Sequence, residues 1–169
     1  MKTLNNPIQS LAGNINLYVL PLSNIQSISG NNITIIDAEW MLHITTQRDT
    51  LAHTMEVRKT KQGTKYAHSI TAMSLGRSDA NEDLLKDFMP HKLYVLVLDS
   101  TGAYYGLGSM EHGLELEWDY VSGSDGSGFK GYQITLSGEL LSNHLHITTI
   151  YDLEHLPVLE GIEPPPSQD

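Results

Sequence analysis

Apolar and polar residues alternate regularly in the central part of the chain, over residues 92–140. An unbroken apolar run at 93–98 is followed by a turn and a short second strand at 103–108. Two further segments, 114–120 and 132–140, alternate with a period of two residues. Successive side chains of a strand point to opposite faces, so this period is typical of half-buried antiparallel strands. The stretch therefore predicts a β-meander that frames the core.

The same pattern predicts strands before the meander, at 15–22, 33–37 and 40–46. A long hairpin follows, in which apolar residues alternate with polar ones over 51–57 and again over 66–72. Thr60-Lys61-Gln62-Gly63 supplies its turn, because glycine and short polar residues favour tight connections. A last strand is predicted over 145–151.

One helix is predicted, at about residues 80–89. Ser78 or Asp79 can accept hydrogen bonds from the free amides of its first turn, and Pro90 ends it. Its apolar residues recur at helical spacing and form one stripe: Leu84, Leu85, Phe88 and Met89. The predicted fold class is mainly β, an antiparallel β-sandwich or barrel with one flanking α-helix.

The length of 169 residues fits one main domain with a sizeable core. We predict an N-terminal arm at 1–14, rich in Asn, Gly and Ser, and a β-rich domain at 15–156. Residues 157–169 contain three consecutive prolines and predict an extended tail. The N-terminus lacks the apolar segment of a signal peptide, and no apolar run approaches the roughly 20 residues of a membrane-spanning helix. We therefore expect a soluble protein that is not exported by the usual route.

The formal net charge is −10, from 20 acidic and 10 basic residues. A surface of this sign repels phosphate, which argues against sequence-specific nucleic-acid binding. The chain contains no cysteine, which excludes disulfides, thiol catalysis and zinc–thiolate sites.

The turn of the long hairpin concentrates positive charge in this acidic chain. Four of the ten basic residues lie there: Arg58, Lys59, Lys61 and Lys65. One interpretation is edge protection, since lysine on an exposed strand discourages unwanted pairing. The other is a subunit interface, in which this tip docks on an acidic face of a neighbour.

Candidate catalytic and metal-binding residues show no diagnostic spacing. His144 and His146 share one strand face, and His53 and His68 lie on facing hairpin strands, but neither pair has a third ligand at a telling distance. The acidic residues Glu111, Glu115, Glu117 and Asp119 fit a solvated strand face better than the carboxylate pair of a glycosidase. We therefore predict no metal site, no cofactor and no enzymatic activity, with a hydrolase using His or Glu ranked last.

A binding module is the main alternative function. A soluble β-sandwich that binds carbohydrate or another small ligand needs exposed aromatic residues or a concave pocket. Trp118 and Tyr120 are in phase with Leu114 and Leu116, which favours a core position for them. The glycine-rich segment 122–131 matches neither a calcium loop nor a phosphate loop, and predicts a flexible hairpin connection.

Three segments carry a family resemblance, and the stretch from Leu116 to Leu140, with its glycine loop inside a hairpin, is similar too. The opening Leu17-Tyr18-Val19-Leu20-Pro21-Leu22-Ser23-Asn24-Ile25, the run from Gly63 to Ile70, and above all Val97 to Ser109 resemble small β-rich structural proteins from phages and prophages of gut Bacteroidales. The order of elements is similar to tail-tube proteins, which combine a β-barrel or sandwich with one flanking helix and a long hairpin, and which form stacked rings. The resemblance spans about residues 15–140.

The resemblance implies a non-enzymatic virion component of the tail or the head–tail connection. Such a protein acts by self-assembly, and its partners are further copies of itself and other virion proteins. It is made in the cytoplasm of the bacterial host and ends in the virion, without binding a membrane.

Overall fold

The computed structural model describes the chain over residues 16–30, 32–36, 41–47, 50–75, 78–98, 104–122, 130–141, 145–147, 149–150 and 158–159. The predicted arm at 1–14 and most of the predicted tail lie outside these residues, as does the glycine-rich segment 123–129. Thirteen strands and one α-helix lie within them: β1 (Asn16–Pro21), β2 (Ile25–Ser29), β3 (Asn32–Ile35), β4 (Met41–Thr45), β5 (Ala52–Thr60), β6 (Gly63–Leu75), α1 (Asp79–Phe88), β7 (Leu93–Leu98), β8 (Tyr104–Leu107), β9 (Glu115–Ser122), β10 (Lys130–Leu140), β11 (Leu145–Ile147), β12 (Thr149–Ile150) and β13 (Val158–Leu159).

The strands form three sheets, and the mainly β prediction with one helix is confirmed. A six-stranded sheet has the order β11-β8-β7-β1-β4-β13, a four-stranded sheet β5-β6-β10-β9, and a three-stranded sheet β12-β3-β2. In the part of the chain that the structure describes, the layout is sandwich-like and no sheet closes into a barrel.

The six-stranded sheet lies in the middle and buries side chains on both faces. One face contributes Leu17, Val19 and Val95 to a core shared with the four-stranded sheet and α1. The other face contributes Leu20 and Leu96 to a second core with the three-stranded sheet. Burial on both faces explains why β7 is an unbroken apolar run instead of an alternating strand.

The predicted single meander over 92–140 is wrong, because its four strands divide between two sheets. β7 pairs with β8 in the six-stranded sheet, and β9 pairs with β10 in the four-stranded sheet. The chain crosses between them just before β9, where Leu93 and Leu114 exchange both backbone hydrogen bonds at 2.9 and 2.8 Å. Gly113 lies so close to this bridge that a Cβ there would stand 2.8 Å from the Leu93 carbonyl oxygen. Alternation specifies that a segment is a strand, but not which sheet it joins.

Tyr94 explains the Gly106-Leu107-Gly108 sequence. Its fully buried ring lies across β8, where a Cβ at Gly106 would overlap the phenol oxygen and one at Gly108 would stand 2.8 Å from Cδ2. Gly108 also has a φ of +134°, a conformation that favours glycine. These two glycines therefore make room for an aromatic side chain.

The Tyr94 hydroxyl is expected not to stabilise the fold. Burial raises the pKa of this phenol, and its oxygen has no hydrogen-bond partner among the described residues. Because an unsatisfied buried hydroxyl costs stability, Tyr94→Phe is expected to leave the free energy of unfolding unchanged or to raise it by about 1 kcal/mol. Urea titration measures this.

Tyr132→Phe is the matched control for Tyr94→Phe. Tyr132 is equally buried, but its hydroxyl donates to the Ser78 carbonyl and accepts from the Ser78 amide, both at 3.3 Å. Its loss is expected to lower stability by about 1 kcal/mol. A larger loss of stability for Tyr94→Phe than for Tyr132→Phe would contradict this difference in hydrogen bonding between the two hydroxyls.

The helix α1 begins as the sequence predicts. The Ser78 side chain accepts from the Asn81 amide at 3.1 Å, and Asp79 and Glu82 lie in the first turn, near the positive end of the helix dipole. Leu85 and Phe88 are fully buried in the main core, whereas Met89 is 45% exposed and does not extend the apolar stripe.

The C-terminal segments differ from the single strand predicted over 145–151. β11 pairs antiparallel with β8, and β12 pairs parallel with β3 in a different sheet. β13 then pairs parallel with β4, so residues 158–159 of the predicted tail add to the six-stranded sheet.

Candidate functional site

The β5–β6 hairpin extends beyond the sheet that carries it. Its strands pair from Ala52 and Thr71 to Thr60 and Gly63, with a two-residue turn between the last pair. The neighbouring strand β10 pairs with β6 only as far as Tyr66. Residues 58–65 therefore form a two-stranded ribbon, the hairpin tip, which is the segment predicted as a subunit interface.

The structure divides the four predicted interface residues into two groups. Arg58 contacts Glu56 at 2.9 Å and Glu139 at 3.3 Å, and Lys65 contacts the same Glu139 at 3.2 Å. The Arg58 guanidinium, through its hydrogen bond and its charge, lowers the pKa of the Glu56 carboxyl. These pairs are exposed, and surface ion pairs stabilise a fold only weakly.

Lys59 and Lys61 form the second group. Both are exposed, and neither has an ion pair within the described ranges. The free positive charge of the tip is therefore concentrated at its end, while Arg58 and Lys65 are partly neutralised by the chain's own carboxylates.

The core-facing side of the hairpin remains apolar past the edge of the core. Val57 is 51% exposed. Met55 and Tyr66 on the same side of the hairpin are half-buried. Val57 and Lys59 therefore lie on one face of the exposed hairpin, where a single aliphatic side chain is ordinary for a protein surface.

Two histidines meet on this same side of the hairpin. His53 Nε2 lies 3.0 Å from His68 Nδ1, and the two rings stack with centroids 5.2 Å apart and planes at 12°. Their predicted proximity is confirmed. Within the described ranges no group of three His, Asp or Glu side chains is placed to hold a metal ion. His144 and the side chain of His146 lie outside the described residues.

The opposite face of the four-stranded sheet is polar. A shallow groove of about 440 Å³ runs along it, lined by Thr54, Glu56, Arg58, Ser69, Ser137 and Glu139 among others. The acidic row on β9 is exposed as predicted, and Glu115 forms an ion pair with Lys92.

The aromatic residues on β9 face the core. The Trp118 and Tyr120 rings pack edge-on against Tyr132, with centroids 5.6 and 5.7 Å away. Both are half-buried against the main core. They provide no exposed platform for stacking a sugar ring, and Trp40 lies outside the described residues.

The feature that sequence reasoning missed is the pair of open sheet edges. β5 and β9 are the two ends of the four-stranded sheet, with nine and eight residues. Within the described ranges, no strand pairs with the outer edge of either. Each of the three pairings between them is antiparallel, so β5 and β9 run in opposite directions.

Comparison with known proteins assigns no family or fold relative to the chain. No protein-family model, curated protein or solved structure matches the chain. Across the described part of the chain, no helix has the length and apolar character needed to cross a membrane.

Proposed function

We propose that the protein is a non-enzymatic structural component of a phage or prophage virion, in the tail or neck, which assembles into rings. The observation that carries this proposal is that β5 and β9, which run in opposite directions, end one sheet with no partner strand on their outer sides among the described residues. Long unpaired edges are templates for pairing with another chain, and monomeric proteins usually cover or shorten them. The placement in a virion rests on the family resemblance of the sequence.

The strand directions favour a head-to-tail contact. If a second copy is placed beside the first in the same orientation, its β5 lies next to β9 of the first copy. Because β5 and β9 run in opposite directions, the new pairing is antiparallel and continues the sheet across the interface. A head-to-tail contact closes into a ring when the rotation between copies allows it.

Charge favours pairing β9 with β5 over pairing β9 with a second β9. β9 carries Glu117 and Asp119 on its exposed face, and like charges directly opposite one another destabilise a strand pair. β5 instead carries Arg58 beside Glu56 on the same face of the sheet as Glu117 and Asp119, so this strand lacks a matching acidic row, while Lys59 alternates to the other face. The tip residues Lys61 and Lys65 follow on the same hairpin and extend the contact toward the neighbouring copy.

Charge reversal on β9 tests this contact. Glu117→Lys with Asp119→Lys is expected to weaken self-association about tenfold or more, because it replaces attraction to the basic hairpin by repulsion. Size-exclusion chromatography with light scattering, run across a concentration series, measures the change. Adding Arg58→Glu, on the same face of the sheet, to this variant is expected to restore part of the association.

The matched control places the same charge change elsewhere. Asp83→Lys with Asp87→Lys alters two exposed positions on α1 and is expected to leave association unchanged. Equal loss in both variants would assign the effect to net charge and contradict the edge contact. A wild-type chain that stays monomeric at all concentrations, and binds no other virion protein, would contradict the proposed function itself.

A further inference from the structure

The histidine pair, His53 and His68, joins an edge strand to its only neighbour among the described strands. His53 lies on β5, and β5 pairs with β6 alone, which carries His68. The two residues are diagonal in the register, since His53 faces Ile70 and His68 faces Met55. His68 is 2% exposed and His53 is half-buried, so the contact lies where the hairpin leaves the core.

The geometry points to an acid-sensitive contact: we propose that the histidine pair holds β5 on β6 at neutral pH and releases it when both rings are protonated. An imidazole nitrogen is either a donor or an acceptor. The 3.0 Å approach of Nε2 to Nδ1 is a hydrogen bond only if one of these nitrogens carries a proton and the other does not.

Proton counting fixes the direction of the pH effect. The hydrogen-bonded pair contains at least one neutral ring and therefore binds at most one excess proton. Two separated imidazoles bind two below their ordinary range near pH 6.5. The open state thus binds more protons than the closed state, so the stability of the contact falls as pH falls, with a limit of about tenfold per pH unit for one proton.

Repulsion between the rings acts in the same direction. The two rings stack with centroids 5.2 Å apart, so two imidazolium charges would repel one another at short range. On the face that carries the pair, Met55 on β5, Tyr66 and Ile70 on β6, and Leu136 and Leu140 on β10 are neighbours that are uncharged at neutral pH.

Most charged residues of these strands belong to the opposite face of the sheet, whereas Lys59 shares the face of His53 but lies six residues further along β5. Glu56 and Arg58 on β5 pair with each other, and Lys65 on β6 pairs with Glu139 on β10. Glu56, Arg58 and Glu139 line the groove that His68 also borders. Their charges of both signs oppose one another, which limits the stabilisation that they offer to a second proton.

Amide hydrogen exchange of the wild-type chain tests the proposal. Between pH 7.5 and pH 5, protection factors of β5 amides are expected to fall about tenfold or more, while those at the centre of β10 change much less. His53→Phe with His68→Phe keeps an aromatic ring at both positions but removes the titrating nitrogens of the pair, so its β5 protection is expected to be independent of pH. His91→Phe, at an exposed position after α1, is expected to retain the wild-type response.

Nitrogen NMR of the wild-type imidazoles keeps the proposal testable even if the double variant does not fold. We expect the first proton to be taken up with β5 still protected, and the second to coincide with the loss of β5 protection. Simultaneous titration of both rings with unchanged β5 protection would overturn the proposal, as would a pH response of β5 that persists in the folded double variant.

Discussion

Replacing Gly106 with alanine is expected to lower the free energy of unfolding by about 3 kcal/mol, near the upper end of overpacking effects. A Cβ at this position would overlap the Tyr94 phenol oxygen and stand 2.8 Å from Cζ. Tyr94 is fully buried in the second core, and a rigid ring there can move only by displacing neighbours such as Leu96. Urea or thermal unfolding of the purified variant measures the loss.

Two variants separate this clash from other effects of losing a glycine. Gly30→Ala is the control, because Gly30 has a φ of +57° but nothing within 4 Å of a built Cβ, so about 1 kcal/mol of backbone strain is expected. Adding Tyr94→Phe to Gly106→Ala removes the overlapping oxygen and is expected to recover part of the loss. Equal costs at Gly106 and Gly30 would show that the ring does not lie across β8.

Phe88→Ala is expected to lower the free energy of unfolding by about 3–5 kcal/mol. Phe88 is fully buried and, with Leu85, places α1 against the core between the six-stranded and four-stranded sheets. The ring is the largest side chain that the helix contributes, so its removal leaves a cavity that two sheets cannot easily close. Calorimetry or denaturant titration gives the value.

The adjacent Met89 provides the matched control. It follows Phe88 directly but is 45% exposed, so Met89→Ala is expected to change stability by less than about 0.5 kcal/mol. Comparable losses at the two positions would mean that the helix is rotated relative to the core. That rotation would contradict the description of the main core.

The element types could be predicted from the sequence because each depends on local pattern. Period-two alternation predicted the β5–β6 hairpin with its turn, and the Ser78 cap predicted the start of α1. The distribution of strands among sheets depends on long-range packing that alternation does not record. Leu93–Leu98 held a usable signal, since an unbroken apolar run predicts burial on both faces and hence a central sheet.

The candidate site was predicted only in part. The basic tip is visible as a cluster of charges, but its pairing with Glu139 required the register of β6 against β10, which joins residues 74 and 81 positions apart in sequence. The place of β5 and β9 at the ends of the four-stranded sheet, as the structure describes it, is invisible in sequence, because an edge is defined by what does not pair with it. The histidine pair was predicted because its two strands share one short turn.

Intermolecular disulfide formation tests the central claim, that β5 of one copy pairs with β9 of the next. The chain contains no cysteine, so one introduced at Thr54 or Glu56 and one at Glu117 or Asp119 give a clean background. Within one copy β5 and β9 are separated by three strand spacings, about 14 Å, which exceeds the reach of a disulfide of about 7 Å. Any bond between them must therefore join two copies.

We predict a ladder of oligomers on non-reducing gels for at least one of the four pairings, with single-cysteine controls stopping at the dimer. Monomers alone in all four pairings, under conditions where the wild-type chain associates, would contradict the claim.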